Sequence, residues 1–578
     1  MLKPKKSVEN MSGYPVPMYG IDWEIKIDSN ENNYGASPKV IKALKNCEFS
    51  NISFYPFYGE LSEKIAKYQG FNIENIKVTN GADESIAAII QTYLEEGESL
   101  LTLDVSFYMP IVYTQIQGGN VIKVPFEEKW CFPINAFLKE LENPNIKVVY
   151  IATPNNPTGN IIQQQDIIKI CDTAKDKAII IDETYANYSD ITYKELVNKY
   201  DNVFVVKSFS KDFALAGLRL GYIISTKDNI DNLKKVVSPF SVNAFAMKAG
   251  IAALDDVDYF INVKNEIIES KKELKNFLET LGGIVYESYA NFLLVDFKQK
   301  AEFIYRKLID KNISVKLFKK GSLLENHIRI TIPTKKGIES IKEALTIKPS
   351  LVFDMDGVLI NAISYRQTIM KTYEKFSGKE TTQEEIQSVK NQGGMNNDWD
   401  LTQFLLKKDG INISYTEIVN SFQEIYWNDG KGLINIETPL FDSNLFEELS
   451  KNYNLSVFTG RLRKEAEFAL KKNNVEKFFY PIITTDDIPE GKGKPDSYGL
   501  NLIKDLTISK EYFYFGDTID DMTCAKNAGY FPIGTLPPQD KSDDLRQRLI
   551  NSGAKKVINS VNEIKTLMEQ KYETVWKN

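Results

Sequence analysis

Two α/β units in tandem, each built on a largely parallel sheet, are predicted by three observations. The 578 residues exceed what a single core accommodates. From about 70 to 350, short apolar runs such as KVVYIATP, KAIIIDET, NVFVVKSFS and RLGYIIST alternate with helical patterns, the signal of strands joined by crossover helices. A helical stretch, KKGIESIKEALTIK, then ends at Pro349, and a new apolar run, SLVFDMDG, restarts the pattern.

The expected division is therefore 1–347 and 350–578, with a linker of a few residues. In the second part LSVFTGR and YFYFGDT read as further strands, while about 362–436 reads as helices and predicts an inserted helical cap. A net charge of -7 and a pI near 5.4 give no footprint for nucleic acid or an anionic membrane. No window approaches the roughly 20 apolar residues of a membrane span, and MLKPKKSVENMSGYP lacks the apolar core of a secretory signal. Four dispersed cysteines without a CxxC pair fit reduced thiols, and a cytoplasmic location is expected.

Two scarcities narrow the chemistry. His327 is the only histidine, which leaves out histidine triads and multi-histidine metal sites. Before residue 350 the only arginines are Arg219, Arg306 and Arg329, so an arginine there is a candidate for forked recognition of phosphate or carboxylate.

The polar residues of the first part fall just after the strand-like runs, where open α/β sheets build ligand sites. Lys211, in SFSKDFALAGLRLGY, is flanked by Ser208 and Ser210 and followed by Arg219. A lysine so placed suits a Schiff base with an aldehyde cofactor, pyridoxal phosphate. Asp182 ends AIIID, placed to hold a ring nitrogen protonated, and Tyr185 and Asn156 (in TPNNPTG) are donors for a phenolic oxygen. NGADES opens a helix whose Ala82 and Asp83 N–H groups suit a phosphate.

Over nearly all of 1–347 the chain resembles the fold type I aminotransferases, and among them the histidinol-phosphate aminotransferase family. The resemblance is carried by SNENNYGASP, YPFYGELSEKIA, the PNNPTG loop, DETY, the SFSK lysine and LAGLRLGY. It implies that Lys211 carries the cofactor, Asp182 pairs with the pyridine nitrogen, and Asn156 and Tyr185 contact the phenolic oxygen. Ser208 or Ser210 with Arg219 would hold the cofactor phosphate, and Phe107 would stack on the ring. Tyr55 would reach the neighbouring subunit's phosphate, which implies a homodimer with shared sites. Arg329, in HIRITIPT, matches the arginine that grips the acidic end of the substrate. The family usually has a second arginine about a dozen residues upstream, where this chain has Lys316.

In the second part, Asp354 and Asp356 lie two apart on a loop leaving a strand, so one can attack phosphorus while the other shuttles a proton. This resembles motif I of the haloacid dehalogenase superfamily, and Thr459, Lys494, and Asp517 with Asp521 stand where its later motifs fall. The resemblance covers 350–578. It implies phosphoryl oxygens held by Thr459 and Lys494, and Mg²⁺ held among Asp354, Asp356, Asp517 and Asp521. Asp356 favours a phosphatase over phosphonatase or dehalogenase chemistry, with phosphomutase second. The cap segment NQGGMNNDWDLT (391–402) reads either as a substrate-specifying loop or as a helix N-cap.

Together the motifs predict a bifunctional enzyme. The first part would transaminate a phosphorylated ketone from a donor such as glutamate, and the second would remove phosphate from the amino-alcohol phosphate. Imidazole-acetol phosphate and dihydroxyacetone phosphate are the candidate ketones. A threonine-phosphate decarboxylase-like lyase is the alternative for the first part.

Overall fold

A computed structural model describes residues 2–9, 11, 21–48, 53–390 and 397–573. They form two compact units, Met1–Thr346 and Ile347–Asn578. Among the described residues no helix is long and apolar enough to cross a membrane.

The first unit is built on a seven-stranded sheet. Its strands are β1 (Ile76–Thr79), β2 (Ser99–Leu103), β3 (Asn120–Val124), β4 (Ile146–Ala152), β5 (Ala178–Asp182), β6 (Val203–Ser208) and β7 (Gly221–Ile224). Their spatial order is β1-β7-β6-β5-β4-β2-β3. All neighbours from β6 to β3 are parallel, and β7 alone runs against its two neighbours. Helices cover both faces, which is why β4 to β7 read as near-continuous apolar runs rather than alternating ones. Val148, Tyr150, Ile180, Phe204, Val206 and Ile223 pack in one core cluster with Ile86, Ile89 and Ile90 of helix α1 (Gly81–Tyr93). Each such fully buried apolar side chain contributes about 1.5–3 kcal/mol.

A smaller antiparallel sheet follows, with strands β8 (Ile284–Val285), β9 (Phe292–Asp296), β10 (Lys316–Leu317) and β11 (His327–Thr331) in the order β10-β11-β9-β8. Its register sets Arg329 directly opposite Lys316 on one side and Leu294 on the other.

The second unit has a six-stranded, wholly parallel sheet: β12 (Ser350–Phe353), β13 (Asn454–Phe458), β14 (Phe479–Ile483), β15 (Tyr512–Gly516), β16 (Phe531–Thr535) and β17 (Lys556–Ile558), in the order β14-β13-β12-β15-β16-β17. Central β12 is buried on both faces, with Leu351 and Phe353 in one core cluster and Val352 in the other. Between Asn361 and Thr438 the described residues form four α-helices: α2 (Ile363–Ser377), α3 (Gln383–Lys390), α4 (Asp398–Lys408) and α5 (Tyr415–Tyr426). They enclose their own apolar cluster, with Ile369, Leu401, Leu405, Ile418 and Phe422 at its centre. The chain enters and leaves this cap through Ile360–Asn361 and Thr438–Pro439, which pair antiparallel. Of the segment 391–402, residues 391–396 lie outside the described residues. Asn397 caps α4, its side chain accepting from Trp399 N and Asp400 N at 2.9 and 3.4 Å.

Candidate active sites

Two groups of polar side chains gather at the C-terminal ends of the two parallel sheets. In the first unit Lys211 leaves β6, and its Nζ donates to the Ser29 carbonyl at 2.9 Å. Burial lowers its pKa to about 8, and the positive charge of Arg329 adds to that shift. The amine is thus poised near neutrality, as a Schiff-base lysine needs.

Asp182 ends β5 beneath it in sequence order and is 5% exposed. Tyr150 Oη donates to Asp182 Oδ2 at 2.7 Å, and Thr184 donates to Oδ1 from N at 3.0 and Oγ1 at 2.6 Å. Burial nevertheless raises its pKa, so a protonated ring nitrogen would be a favourable partner. Tyr185 Oη accepts from Asn30 Nδ2 at 2.9 Å, and its ring meets Phe292 edge-on.

Arg329 joins the loops to this site. Its Nη1 donates to Asn156 Oδ1 at 2.6 Å and its Nη2 to the Asp28 carbonyl at 2.5 Å. Lys316, its cross-strand neighbour, has its pKa lowered by burial and then by Arg329. Two cations opposite one another on paired strands offer positive charge that an anion can neutralise.

The phosphate-cradle residues meet at the start of α1. Gly81 adopts φ +79°, and a Cβ there would stand 2.9 Å from Arg219 Nη2. A Cβ on Gly221 would stand 2.6 Å from the Gly81 carbonyl carbon and 2.8 Å from Ala82 N. The two glycines therefore let β7 and the helix N-terminus close up around the backbone N–H groups. Arg219 is paired here with Asp83 at 2.7 Å, and Ser208 Oγ accepts from Ser210 N at 3.1 Å. Phe107, half-buried, packs against the main-sheet core. Tyr55 is exposed and stacked on Phe240 with centroids 4.3 Å apart. The lysine, the buried acid, the two phenolic-oxygen donors and the glycine-lined helix start fit pyridoxal phosphate.

In the second unit Asp354, Asp517 and Asp521 bring carboxylate oxygens within 4.8 Å of one another. Asp354 leaves β12; Asp517 and Asp521 follow β15 at the start of helix α6 (Ile519–Asn527). Lys494 Nζ bridges Asp354 Oδ1 at 2.6 Å and Asp521 Oδ1 at 2.8 Å. Burial lifts Asp354 to about 7 despite Lys494, and the charges of Asp521 and Asp356 add to the rise. Burial and the Asp354 charge likewise raise Asp517. Burial also acts on Asp521, but Lys494 and hydrogen bonds from Lys494, Thr518 and Tyr514 outweigh it and keep its pKa low. Gly357, at φ +75°, makes room for this cluster, since a Cβ there would collide with Asp517 Oδ2. Three crowded carboxylates, two of them resisting ionisation, are a donor set that fits a hard divalent cation.

The expected ligand Asp356 is placed differently. Its carboxylate pairs with Arg461, whose Nη2 lies 2.5 Å from Oδ1, and the three-carboxylate cluster does not include it. A guanidinium fork is a strong partner for a carboxylate. Thr459 is fully buried, and its Oγ1 accepts from Arg461 N at 3.2 Å.

Sequence reasoning missed Ser29, Tyr150 and Tyr514, whose contacts are long-range and carry no local signature. It also missed Arg461, although the value placed on arginine in a lysine-rich chain extends naturally to TGRLR.

The family described as aminotransferase class I and II matches residues 24–345, and haloacid dehalogenase-like hydrolase matches 351–534. A histidinol-phosphate aminotransferase of Brachyspira hyodysenteriae is 34% identical over 329 residues, covering 56% of this chain and 91% of that protein. One from Thermoanaerobacter sp. is 32% identical over 349 residues, covering 59% and 98%. The crystal structure of histidinol-phosphate aminotransferase from Sinorhizobium meliloti in complex with pyridoxal-5'-phosphate shares the fold of the first unit. Its TM-score is 0.53 at 23% identity, covering 56% of this chain and 90% of that one. The chain belongs to the class I and II aminotransferases, on the side of the histidinol-phosphate aminotransferases, and carries a haloacid dehalogenase-like hydrolase domain behind the aminotransferase domain.

Proposed function

We propose that the two domains act in sequence on one small phosphorylated metabolite. The aminotransferase domain moves an amino group from a donor such as glutamate to a phosphorylated ketone. The hydrolase domain then releases phosphate from the amino-alcohol phosphate. Imidazole-acetol phosphate and dihydroxyacetone phosphate are the candidate ketones, the first favoured by the names of the relatives. The observation that carries the reading is the cross-strand pair Lys316 and Arg329, a doubly cationic clamp that Arg329 joins to Asn156. A phosphate at the far end of a small ketone meets that requirement.

Lys211, Asp182, Asn156, Tyr185 and the Ala82–Asp83 backbone would hold pyridoxal phosphate. When bound, the cofactor supplies an electron sink for the substrate carbon. Lys211, near neutral, takes and returns the proton at that carbon, and Asp182 holds the ring nitrogen protonated. Arg329 and Lys316 orient the substrate by its anion. Tyr55 and Phe240 would form part of a twofold interface that completes the site.

In the hydrolase domain Asp354, Asp517 and Asp521 would hold Mg²⁺, which supplies charge neutralisation for an anion attacking an anion. An Asp354 oxygen forms a bond to phosphorus as the ester P–O bond breaks, and Asp356 gives a proton to the leaving alkoxide. Water then attacks the phosphorus, gives a proton to Asp356, and frees inorganic phosphate and Asp354. Lys494 and Thr459 orient the phosphoryl oxygens.

The test supplies each keto-phosphate with glutamate to the full chain and follows amine and phosphate together. Amine should precede phosphate. Lys211→Ala should remove amination, and Asp354→Asn phosphate release, each by more than about a thousandfold with the other activity retained. Phosphate released from the ketone before amination would overturn the order.

A further inference from the structure

Arg461, three residues past the end of β13, is 1% exposed and lies between two carboxylates. Toward the phosphate site, Nε donates to Asp356 Oδ1 and Oδ2 at 3.1 and 3.2 Å, and Nη2 donates to Oδ1 at 2.5 Å. Toward the cap, Nη1 and Nη2 donate to Glu437 at 2.8 and 3.1 Å. Glu437 immediately precedes the strand by which the chain leaves the cap. It also accepts from Ser364 Oγ at 2.5 Å and Tyr426 Oη at 3.1 Å, at the start of α2 and the end of α5. The guanidinium carbon lies 5.1 Å from the centre of the Tyr365 ring, and Tyr365 Oη donates to buried Glu465 at 3.1 Å.

A guanidinium is a rigid planar fork, and one buried between two carboxylates fixes each relative to the other. Glu437 alone would neutralise it. The additional grip on Asp356 therefore transmits position: a chain of bonded side chains runs from cap helices α2 and α5 through Glu437 and Arg461 to the proton-handling group.

We infer that Arg461 is a positioning residue of the hydrolase reaction, anchored to the cap by Glu437 and setting where the Asp356 carboxylate stands relative to the leaving oxygen. The inference rests on the phosphatase reading above. Arg461 enters no bond-making step. Asp354 displaces the alkoxide and Asp356 protonates it, and Arg461 determines whether that proton is within reach.

Leaving-group dependence separates this role from a structural one. An alkoxide needs the proton, whereas p-nitrophenolate leaves readily without it. Both esters use the same nucleophile, cation and phosphate contacts. The experiment measures kcat/KM of the full chain with Mg²⁺ on β-glycerol phosphate and p-nitrophenyl phosphate. Arg461→Lys should lower the alkyl ester value about a hundredfold and the aryl value less than about tenfold. Glu437→Gln, which keeps the shape and removes the anchoring charge, should shift the ratio in the same direction by less. Because both values come from one preparation, a partly folded variant leaves the ratio unaffected. Equal losses on both esters, an unchanged ratio, or a rise in KM alone would overturn the inference. If the unmodified chain hydrolyses neither ester, or Asp354→Asn still hydrolyses them, the phosphatase reading itself falls and the inference with it.

Discussion

The two sites are electrostatic opposites. Around Lys211 the crowded groups are cations: Lys211 and Lys316 both have lowered pKa values, with burial the first cause and Arg329 the second. Around Asp354 they are anions: burial raises Asp354 and Asp517, with the Asp521 and Asp356 charges adding to the first rise and the Asp354 and Asp521 charges to the second. A group displaced from its ordinary charge state reports what its surroundings lack. The aminotransferase site is arranged to receive negative charge and the hydrolase site to receive a cation. Lys494 offsets part of the carboxylate repulsion, yet it is monovalent and bonds only two of the three.

Cation removal tests the hydrolase half of that contrast most severely. Chelation should abolish phosphate release while amination continues, and Mg²⁺ should restore it. Saturating Mg²⁺ at 100 times its Kd should stabilise the hydrolase domain by about 2.7 kcal/mol. Calorimetry of the chain with and without Mg²⁺ checks this, and Asp517→Asn should remove most of the increment. Phosphate release that persists in chelator would break the comparison.

A smaller effect is expected at the clamp. Lys316→Ala should raise KM for the keto-phosphate by roughly tenfold to a hundredfold, the worth of one charged hydrogen bond, with kcat less affected. Lys316→Arg should retain binding. Steady-state kinetics at varied ketone and saturating donor distinguishes the two variants, and an unchanged KM in Lys316→Ala would remove Lys316 from the clamp.

The smallest effect is a displacement in pH. Lys211 must be neutral to engage an aldehyde, so loading of cofactor-free protein should accelerate as pH rises through about 8. Arg329 lowers that value, so Arg329→Gln should move the midpoint upward and slow loading at neutral pH. Absorbance of the bound cofactor followed across pH checks it, and a downward shift would contradict the like-charge account.

Much of this was legible in the chain because strand ends and chemistry coincide. Asp182, Lys211 and Asp354 each sit at or just beyond the end of an apolar run, and β5, β6 and β12 are those runs. The sequence could not show how side chains meet across hundreds of residues. The carbonyl that receives Lys211 belongs to Ser29, 182 positions away, and Arg461 reaches Asp356 across 105. The pairing of the Asp356 side chain with Arg461 was beyond sequence reasoning for the same reason. Spacing within FDMDG says where the carboxylates start, while a buried arginine from another strand decides where one of them points.

The glycine beside Asp517 has a genetic consequence. Gly357 lies at a backbone angle that other residues rarely adopt, with the space for a side chain already taken by Asp517 Oδ2. Every missense change available to a glycine codon adds a Cβ at that point. A single base change in that codon is therefore expected to displace Asp517 from the carboxylate cluster of the hydrolase domain while leaving the residues of the aminotransferase domain as they are.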